Sequence, residues 1–462
     1  MKKCRIFVIC LIIVLACLPF STASAAYNAI LEELEPRSGI ILLQSLEDDT
    51  IIFDRNAYEH TPPASLTKLV TAILTLENCP DLNAMVTVPQ SVIDSLVNTG
   101  SSNAGLKAGE EVSVIDLLRC MLIPSANEAA ATLAHYVSGG NIESFVDKMN
   151  VFVERLGCKD THFMTPHGLD AEGQYTCAAD IARIMKYALT SANSEIFTEI
   201  ISTVRYELPA SNMHEKPRII RTTNFLLNEG YKDYYSKYVV GGKTGSTSKA
   251  GKCVAAIARS GGYAYLVVIM NAPHDDIDND GVDENGAFTD AKMLFEWVFS
   301  NIRYESVLQK TDVTAEVKVR LSSQTDHLAL MPAEDLFAYV PVGVGENSVL
   351  VKVVEGSMPA EIDAPVKKGD KIAEAAVYYA DEEIARTDLI AAEDVSRNFF
   401  LLIGSVIQAF FRHPVVRLLL LGLVLLVAGY IALIVRAGRK AQKKRKRRNS
   451  NSKVVHMNDF KK

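Results

Sequence analysis

The chain is short of several things, and each shortage removes a class of function. No Gly-x-Ser-x-Gly occurs, and the nine histidines fall in no recognisable pattern, so a Ser-His-Asp hydrolase is not indicated. No Cys-x-x-Cys occurs either. Beyond residue 25 the cysteines are Cys79, Cys120, Cys158, Cys177 and Cys253. Their odd number and scattered spacing describe neither a disulfide framework nor a metal site, and they read as small buried apolar residues. Positive charge is scarce in the body of the chain: residues 26–416 hold 32 basic against 54 acidic groups. A surface so acidic repels phosphate backbones, which excludes nucleic acid as a partner. No internal repeat is present.

The basic residues are instead kept for the two ends. Lys2, Lys3 and Arg5 precede an apolar stretch from Ile6 to Phe20 and then Ala23-Ser24-Ala25. This is the layout of a cleaved signal peptide over residues 1–25; bulky Leu15 ahead of Ala16-Cys17 disfavours lipoprotein processing. At the other end, residues 417–435 form an apolar run long enough to span a bilayer. The tail 436–462, with "RAGRKAQKKRKRR", carries 12 basic groups and assigns that side to the cytoplasm. Residues 396–416, with "NFFLLIGSVIQAFF", read as an amphipathic segment at the membrane surface. The expectation is a single-pass cell-membrane protein of 462 residues with its working part outside.

Between these ends the hydrophobic period changes twice. "GIILLQSLEDDTIIFDRN" reads as a hairpin. Helical spacing follows from Leu66 to Leu74 and over Val114–Leu122, Ile142–Leu156 and Ala178–Leu189, with Gly157 as a C-cap. "CVAAIAR" and "AYLVVIMN", separated by "SGG", read as adjacent core strands, and Phe288–Phe299 as a closing helix. Strands, helices and strands again predict an α+β fold in which an antiparallel sheet carries a helical subdomain over residues 28–300. Residues 304–395, with "AEVKVRL", "LFAYVPV", "SVLVKVV" and "KIAEAAVYYA", read as a small all-β domain.

Ser65 and Lys68 in "PPASLTKLVTA" lie one turn apart at a helix start, so the amine can reach the hydroxyl. A serine becomes nucleophilic when a neighbouring base takes its proton, and a lysine can do so if burial or positive neighbours lower its pKa. Ser-x-x-Lys also occurs at Ser246/Lys249 and Ser450/Lys453, so the spacing alone equally fits a helix cap and a solvated lysine. Ser125 and Asn127 in "PSANEAA" follow, and Lys243, Thr244 and Gly245 in "VVGGKTGSTSKAG". Ser-x-Asn recurs elsewhere, but Lys-Thr-Gly occurs once, opening an apolar strand. The ordered trio is that of the penicillin-binding proteins and serine β-lactamases.

With these motifs the sequence resembles the serine-type D-alanyl-D-alanine carboxypeptidases, the low-molecular-mass penicillin-binding proteins. "FVDKMNVFVERLGCKDTHFMTPHGL" and "FTDAKMLFEWVF" extend the likeness. The resemblance implies a penicillin-binding/serine β-lactamase-like catalytic domain, with the β domain and membrane attachment behind it. It also implies removal of the terminal D-alanine from peptidoglycan stem peptides ending in D-Ala-D-Ala, through an acyl-enzyme, with β-lactams as covalent inhibitors. Ser65 is then the nucleophile, Lys68 its general base and Ser125 the proton relay. Asn127 holds the substrate amide; Lys243 and Thr244 hold the terminal carboxylate. Gly245 lets the substrate backbone approach, and the N–H groups of Ser65 and Ser246 form the oxyanion hole. No cofactor or metal is implied.

Three positions depart from the family pattern. Ser246 stands where an aromatic residue or histidine is frequent; Thr223 stands where some members place an arginine, with Arg221 as a substitute; and Thr165, where asparagine is common, reads as structural. A β-lactamase is disfavoured because Glu-x-x-Leu-Asn is absent between Asn127 and Lys243. A DD-endopeptidase, or an inactive wall-binding scaffold, stays open. "DDIDNDGVDENGAF" starts like a calcium loop at Asp276, Asp278, Asp280 and Gly281, but Ala287 occupies the position of the bidentate glutamate. It reads as a solvated acidic loop; calcium titration should leave the melting temperature unchanged, and a rise of several degrees would refute this.

Overall fold

The computed structural model describes residues 34–276 and 283–456, with side chains up to residue 445. The leader expected over residues 1–25, most of the calcium-like loop and the end of the basic tail lie outside the described residues. The chain divides into two compact units: residues up to 308 with 335–352 and 376–386, and residues 309–334, 353–375 and from 387 onward.

The first unit is built on β1 (Ile40–Ser45), β2 (Ile51–Arg55), β3 (Val239–Thr247), β4 (Gly251–Ser260) and β5 (Tyr263–Ala272). They form one antiparallel sheet in the order β2-β1-β5-β4-β3. The first and last strands of this sheet in chain order are thus brought together, since β1 pairs with β5 from Ile40↔Met270 to Ser45↔Tyr265. Between β4 and β5, Gly261 and Gly262 both have positive φ, at 58° and 90°, the conformation that a two-residue hairpin turn demands.

Both sheet faces are buried, which is why "AYLVVIMN" is apolar without alternation. Leu266, Val268 and Met270 face a core shared with α1 (Lys68–Asn78), α3 (Val114–Leu122), α4 (Asn127–Val137), α5 (Ile142–Arg155), α6 (Ala178–Thr190) and α7 (Ser194–Ser202). A shorter helix, α2 (Gln90–Leu96), lies ahead of α3 in the chain. Val267 and Ile269 face a second core against Phe288, Leu294 and Phe295 of α8 (Gly286–Asn301). The helical centre is α1, whose residues from Lys68 to Leu76 are all buried, the pattern of a helix surrounded by protein on every side. Gly157, at φ 82°, terminates α5: its N–H reaches the Glu154 carbonyl and that of Cys158 the Val153 carbonyl, a Schellman motif as the glycine suggested.

The later chain holds β6 (Ile302–Leu308), β7 (Ala315–Arg320), β8 (His327–Pro332), β9 (Leu336–Pro341), β10 (Glu361–Asp363) and β11 (Glu382–Ala391); β7 and β9 fall on expected segments, as do the strands Leu350–Val353 and Lys371–Tyr379, and the others lie outside them. In the first unit β6 pairs with β9 over a small core of Val307, Val340 and Val377. In the second, β7 lies between β8 and β10, and β8 pairs with the end of β11. The second unit ends in α9 (Phe399–Arg412) and α10 (Pro414–His456). Within α10, residues from Pro414 to Arg445 include a stretch long and apolar enough to cross a membrane. All five described cysteines are buried and unpaired. The fold is therefore α+β, with an antiparallel sheet, a helical subdomain, a β domain and one apolar terminal helix.

Phe295 is fully buried in the second core. Phe295→Ala should cost about 3–5 kcal/mol, read as a lowered denaturation midpoint; a change under about 1 kcal/mol would show that α8 does not anchor the sheet.

Candidate active site

Pro62-Pro63 cannot continue a helix backwards, and the chain enters α1 through a 3-10 turn, Ala64–Thr67. Ser65 lies inside this turn and does not cap the helix; its first residue, Lys68, projects one turn on. Two glycines clasp the turn. A Cβ on Gly168 would lie 1.8 Å from the Ala64 carbonyl oxygen, and one on Gly245 would lie 3.1 Å from the Ser65 nitrogen. Strand β3 and the loop at 165–170 therefore approach the Ser65 backbone as closely as glycine alone permits.

The Lys68 amine is fully buried and donates three hydrogen bonds: to Ser65 Oγ at 2.7 Å, Asn127 Oδ1 at 2.6 Å and the His167 carbonyl at 2.8 Å. That is the full donor capacity of an ammonium. Burial first, and the charge of Lys243 second, hold its pKa well below the ordinary amine range, with Glu128 pulling the other way. Each deprotonation gives Nζ a lone pair 2.7 Å from the Ser65 hydroxyl, the geometry of a general base.

The second lysine repeats the theme. Lys243 on β3 is 1% exposed, donates to Ser125 Oγ and to the Thr244 carbonyl, each at 2.8 Å, and burial lowers its pKa to about 7. Ser125 sits at φ 65° between α3 and α4, a left-handed conformation that costs a non-glycine residue free energy and sets its hydroxyl against Lys243. Two residues on, Asn127 opens α4. Gly245 is buried and Ser246 exposed on the same strand. All the residues proposed from the sequence thus gather at the junction of β3, α1 and the start of α4.

Several further contributors lie outside the three motifs. Thr223 Oγ1 lies 2.5 Å from Thr244 Oγ1, and its N–H donates to the Ile123 carbonyl; Arg221 is exposed at the end of its strand. Thr71 donates to the Pro166 carbonyl at 2.6 Å, so α1 grips two successive carbonyls of the 165–170 loop. Thr247 adds a hydrogen bond to Asp170. Thr165 is structural, bonded to Gln174 and to the Gly168 N–H. The His167 ring is driven to a pKa of about 3 by burial and by Lys68; Nδ1 accepts from the Leu169 N–H, leaving the proton on Nε2. Away from this site, Asp160, Cys177 and Asp180 bring ligand atoms within 4.8 Å of one another. The Asp180 carboxylate is already engaged by the Asp160 N–H, Thr161 and Arg183, so these residues form a hydrogen-bonded junction.

Sequence comparison decides the family. The profile for "D-alanyl-D-alanine carboxypeptidase" matches residues 28–274, and that for "Penicillin-binding protein 5, C-terminal domain" matches residues 303–397. The chain belongs to the D-alanyl-D-alanine carboxypeptidase family. It is 28% identical over 369 residues to the D-alanyl-D-alanine carboxypeptidase DacF of Bacillus subtilis, covering 79% of this chain and 87% of that protein. It is also 28% identical over 301 residues to a D-alanyl-D-alanine endopeptidase of Escherichia coli, covering 64% of this chain and 89% of the other. Among solved structures, penicillin-binding protein 5 from Haemophilus influenzae superposes with a TM-score of 0.55 at 26% identity, covering 78% of this chain and 98% of that one.

The lowered pKa of Lys243 has a consequence for stability. Its folded value of about 7 lies below the ordinary 10.5, so between these values the unfolded chain binds more protons and stability rises with pH. The group opposes folding most below about pH 7. Lys243→Met should remove that rise, so the wild-type denaturation midpoint should gain on the variant's between about pH 6 and pH 10. Parallel curves would refute the assignment.

Proposed function

We propose that this protein removes the terminal D-alanine from peptidoglycan stem peptides by acylation and deacylation of Ser65. The observation that carries the reading is the 2.7 Å contact between Nζ of the buried Lys68 and Ser65 Oγ. Neutral Lys68 takes the serine proton as Oγ attacks the carbonyl carbon of the penultimate D-alanine. The oxyanion forms against the N–H groups of Ser65 and Ser246, which bind the developing charge more strongly than the ground-state carbonyl. The peptide C–N bond then breaks, and Ser125, in contact with Lys243, passes a proton to the departing D-alanine nitrogen. Water hydrolyses the ester and regenerates Ser65. Asn127 holds the substrate amide. Lys243 and Thr244 receive the terminal carboxylate, with the Thr223 hydroxyl beside them. A β-lactam acylates Ser65 by the same attack but leaves slowly, because its ring-opened leaving group stays attached.

We place the catalytic unit outside the cell membrane, the apolar part of α10 across it and the basic tail in the cytoplasm. Phe399, Phe400, Val406 and Phe410 of α9 are exposed, which suits a helix lying in the interface. The likeness to an endopeptidase supports cleavage of D-Ala-containing cross-links as a second reading.

Ser65→Ala should reduce D-alanine release from a D-Ala-D-Ala peptide by about 10⁴-fold or more and abolish the penicillin mass adduct. Lys68→Ala should lower kcat/KM by about 10²–10⁴-fold. Equal release by wild type and Ser65→Ala would sink the mechanism. A wild-type chain that takes up no penicillin would favour an inactive scaffold, and faster cleavage of cross-linked dimers than of pentapeptides would favour the endopeptidase.

A further inference from the structure

Toward the end of the sheet order opposite to β3, a cleft of about 380 Å³ opens between the β1–β2 hairpin and α6. Three to four strand spacings, about 14–19 Å, separate it from β3, so it takes no part in the proposed chemistry. Gln44 lines this cleft. It follows Ile40 and Leu42 on the sheet face that packs against the helices, and only 7% of it is exposed. Among the described residues no hydrogen bond reaches its side-chain amide.

A carboxamide offers two N–H donors and an acceptor oxygen, and leaving them unmatched in a protein interior is costly. The geometry therefore asks for a ligand group that both accepts and donates. A neutral acetamido group does so, and its methyl suits the apolar wall of Leu42 and Ile51. The rim argues against a simple ion. Arg183 and Lys186 line the cleft from α6, but each already has a carboxylate. Arg183 donates to Asp180 at 3.0 Å, and Lys186 is paired with Asp49. Charges balanced in this way offer hydrogen bonds to hydroxyl groups and no net field for an ion. Two rings complete the opening: Tyr58, which is exposed, and Tyr187, whose O–H is tied to Glu77. Aromatic faces and balanced polar groups around a buried amide fit a sugar ring, which has an apolar C–H face and a hydroxylated edge.

We infer that this cleft binds an N-acetylated amino sugar, with its acetamido group on Gln44 and its ring against Tyr58 and Tyr187. The residues of the cleft carry this assignment by themselves. That the sugar belongs to the wall polymer whose stem peptides are trimmed at Ser65 rests on the carboxypeptidase reading above. The cleft then holds the glycan while the peptide end is cut.

The test uses the full chain in a zwitterionic detergent without a sugar headgroup. Two neutral disaccharides that differ in the acetamido group, N,N′-diacetylchitobiose and cellobiose, are titrated by saturation-transfer NMR. Diacetylchitobiose should bind about 5- to 100-fold more tightly, the range for leaving a buried polar group unpaired, with strong transfer to its acetyl methyl. Gln44→Leu keeps the volume, removes the amide and should bring the two affinities together. Ala179→Phe fills the cleft from α6, leaves Gln44 in place and should remove binding of both. Both variants should release D-alanine from a short D-Ala-D-Ala peptide at the wild-type rate, which reports an intact fold. Equal affinity for the two disaccharides overturns the sugar site, as does a preference that survives Gln44→Leu and Ala179→Phe. Release of D-alanine without binding of either sugar overturns the site and leaves the carboxypeptidase reading standing. Selective sugar binding by a wild-type chain that releases no D-alanine does the reverse.

Discussion

One buried ammonium group organises the site. Lys68 has no contact with solvent, so each of its three N–H bonds needs an acceptor from the protein, and the acceptors come from residues 65, 127 and 167. These segments are far apart in the chain, and the need to satisfy the lysine draws them to one point. The same group that assembles the site is, in the proposed mechanism, the one whose proton comes and goes. Burial and the charge of Lys243 make its neutral form accessible, while three well-placed acceptors hold it when charged.

The scaffold explains how such a cluster tolerates its own strain. The turn holding Ser65 is clasped between Gly168 and Gly245, and any side chain at the former would overlap the Ala64 carbonyl. Ser125 is held at a positive φ between two helices whose other faces are buried in the larger core. Strand β3 presents Lys243 and Thr244 at what is, among the described residues, an edge of the five-stranded sheet. An edge with free backbone groups can receive an extended peptide, and it lies where the two lysines converge.

Much of this was legible in the sequence. The hairpin, the helices at Val114–Leu122 and Ala178, the Gly-Gly turn and the paired core strands follow from hydrophobic period and turn chemistry, which are local. Ser65, Lys68, Ser125, Asn127 and Lys243 were legible as an ordered set, although each motif recurs or is weak alone. What escaped was carried by backbone or by tertiary approach. The His167 and Pro166 carbonyls receive α1 through atoms that every residue possesses, so no side chain announces them. Glu128 reads as an ordinary first-turn helix acid until packing buries it. Thr223 stood out in the sequence only as a departure from an arginine, and its contact with Thr244 was not legible there. Some strands of the β domain, such as β8, were missed because short half-buried segments carry weak periodicity.

The five buried cysteines have a bearing on how the protein is made. Burial raises every one of their pKa values, to about 12 for Cys158, Cys177 and Cys253. Thiol oxidation and exchange proceed through the thiolate, so in the native state the reactive form is almost absent and the sulfur atoms are also shielded from reagents. Among the described residues, no cysteine has to be oxidised for the fold to form, and the folded thiols respond little to the redox poise around them. The exposure that matters is brief: the interval before packing closes over Cys120 and Cys253, when unfolded thiols regain their ordinary acidity. Closure of the first core, which holds Cys79, Cys120, Cys158 and Cys253, is what takes these thiols out of reach of mispairing.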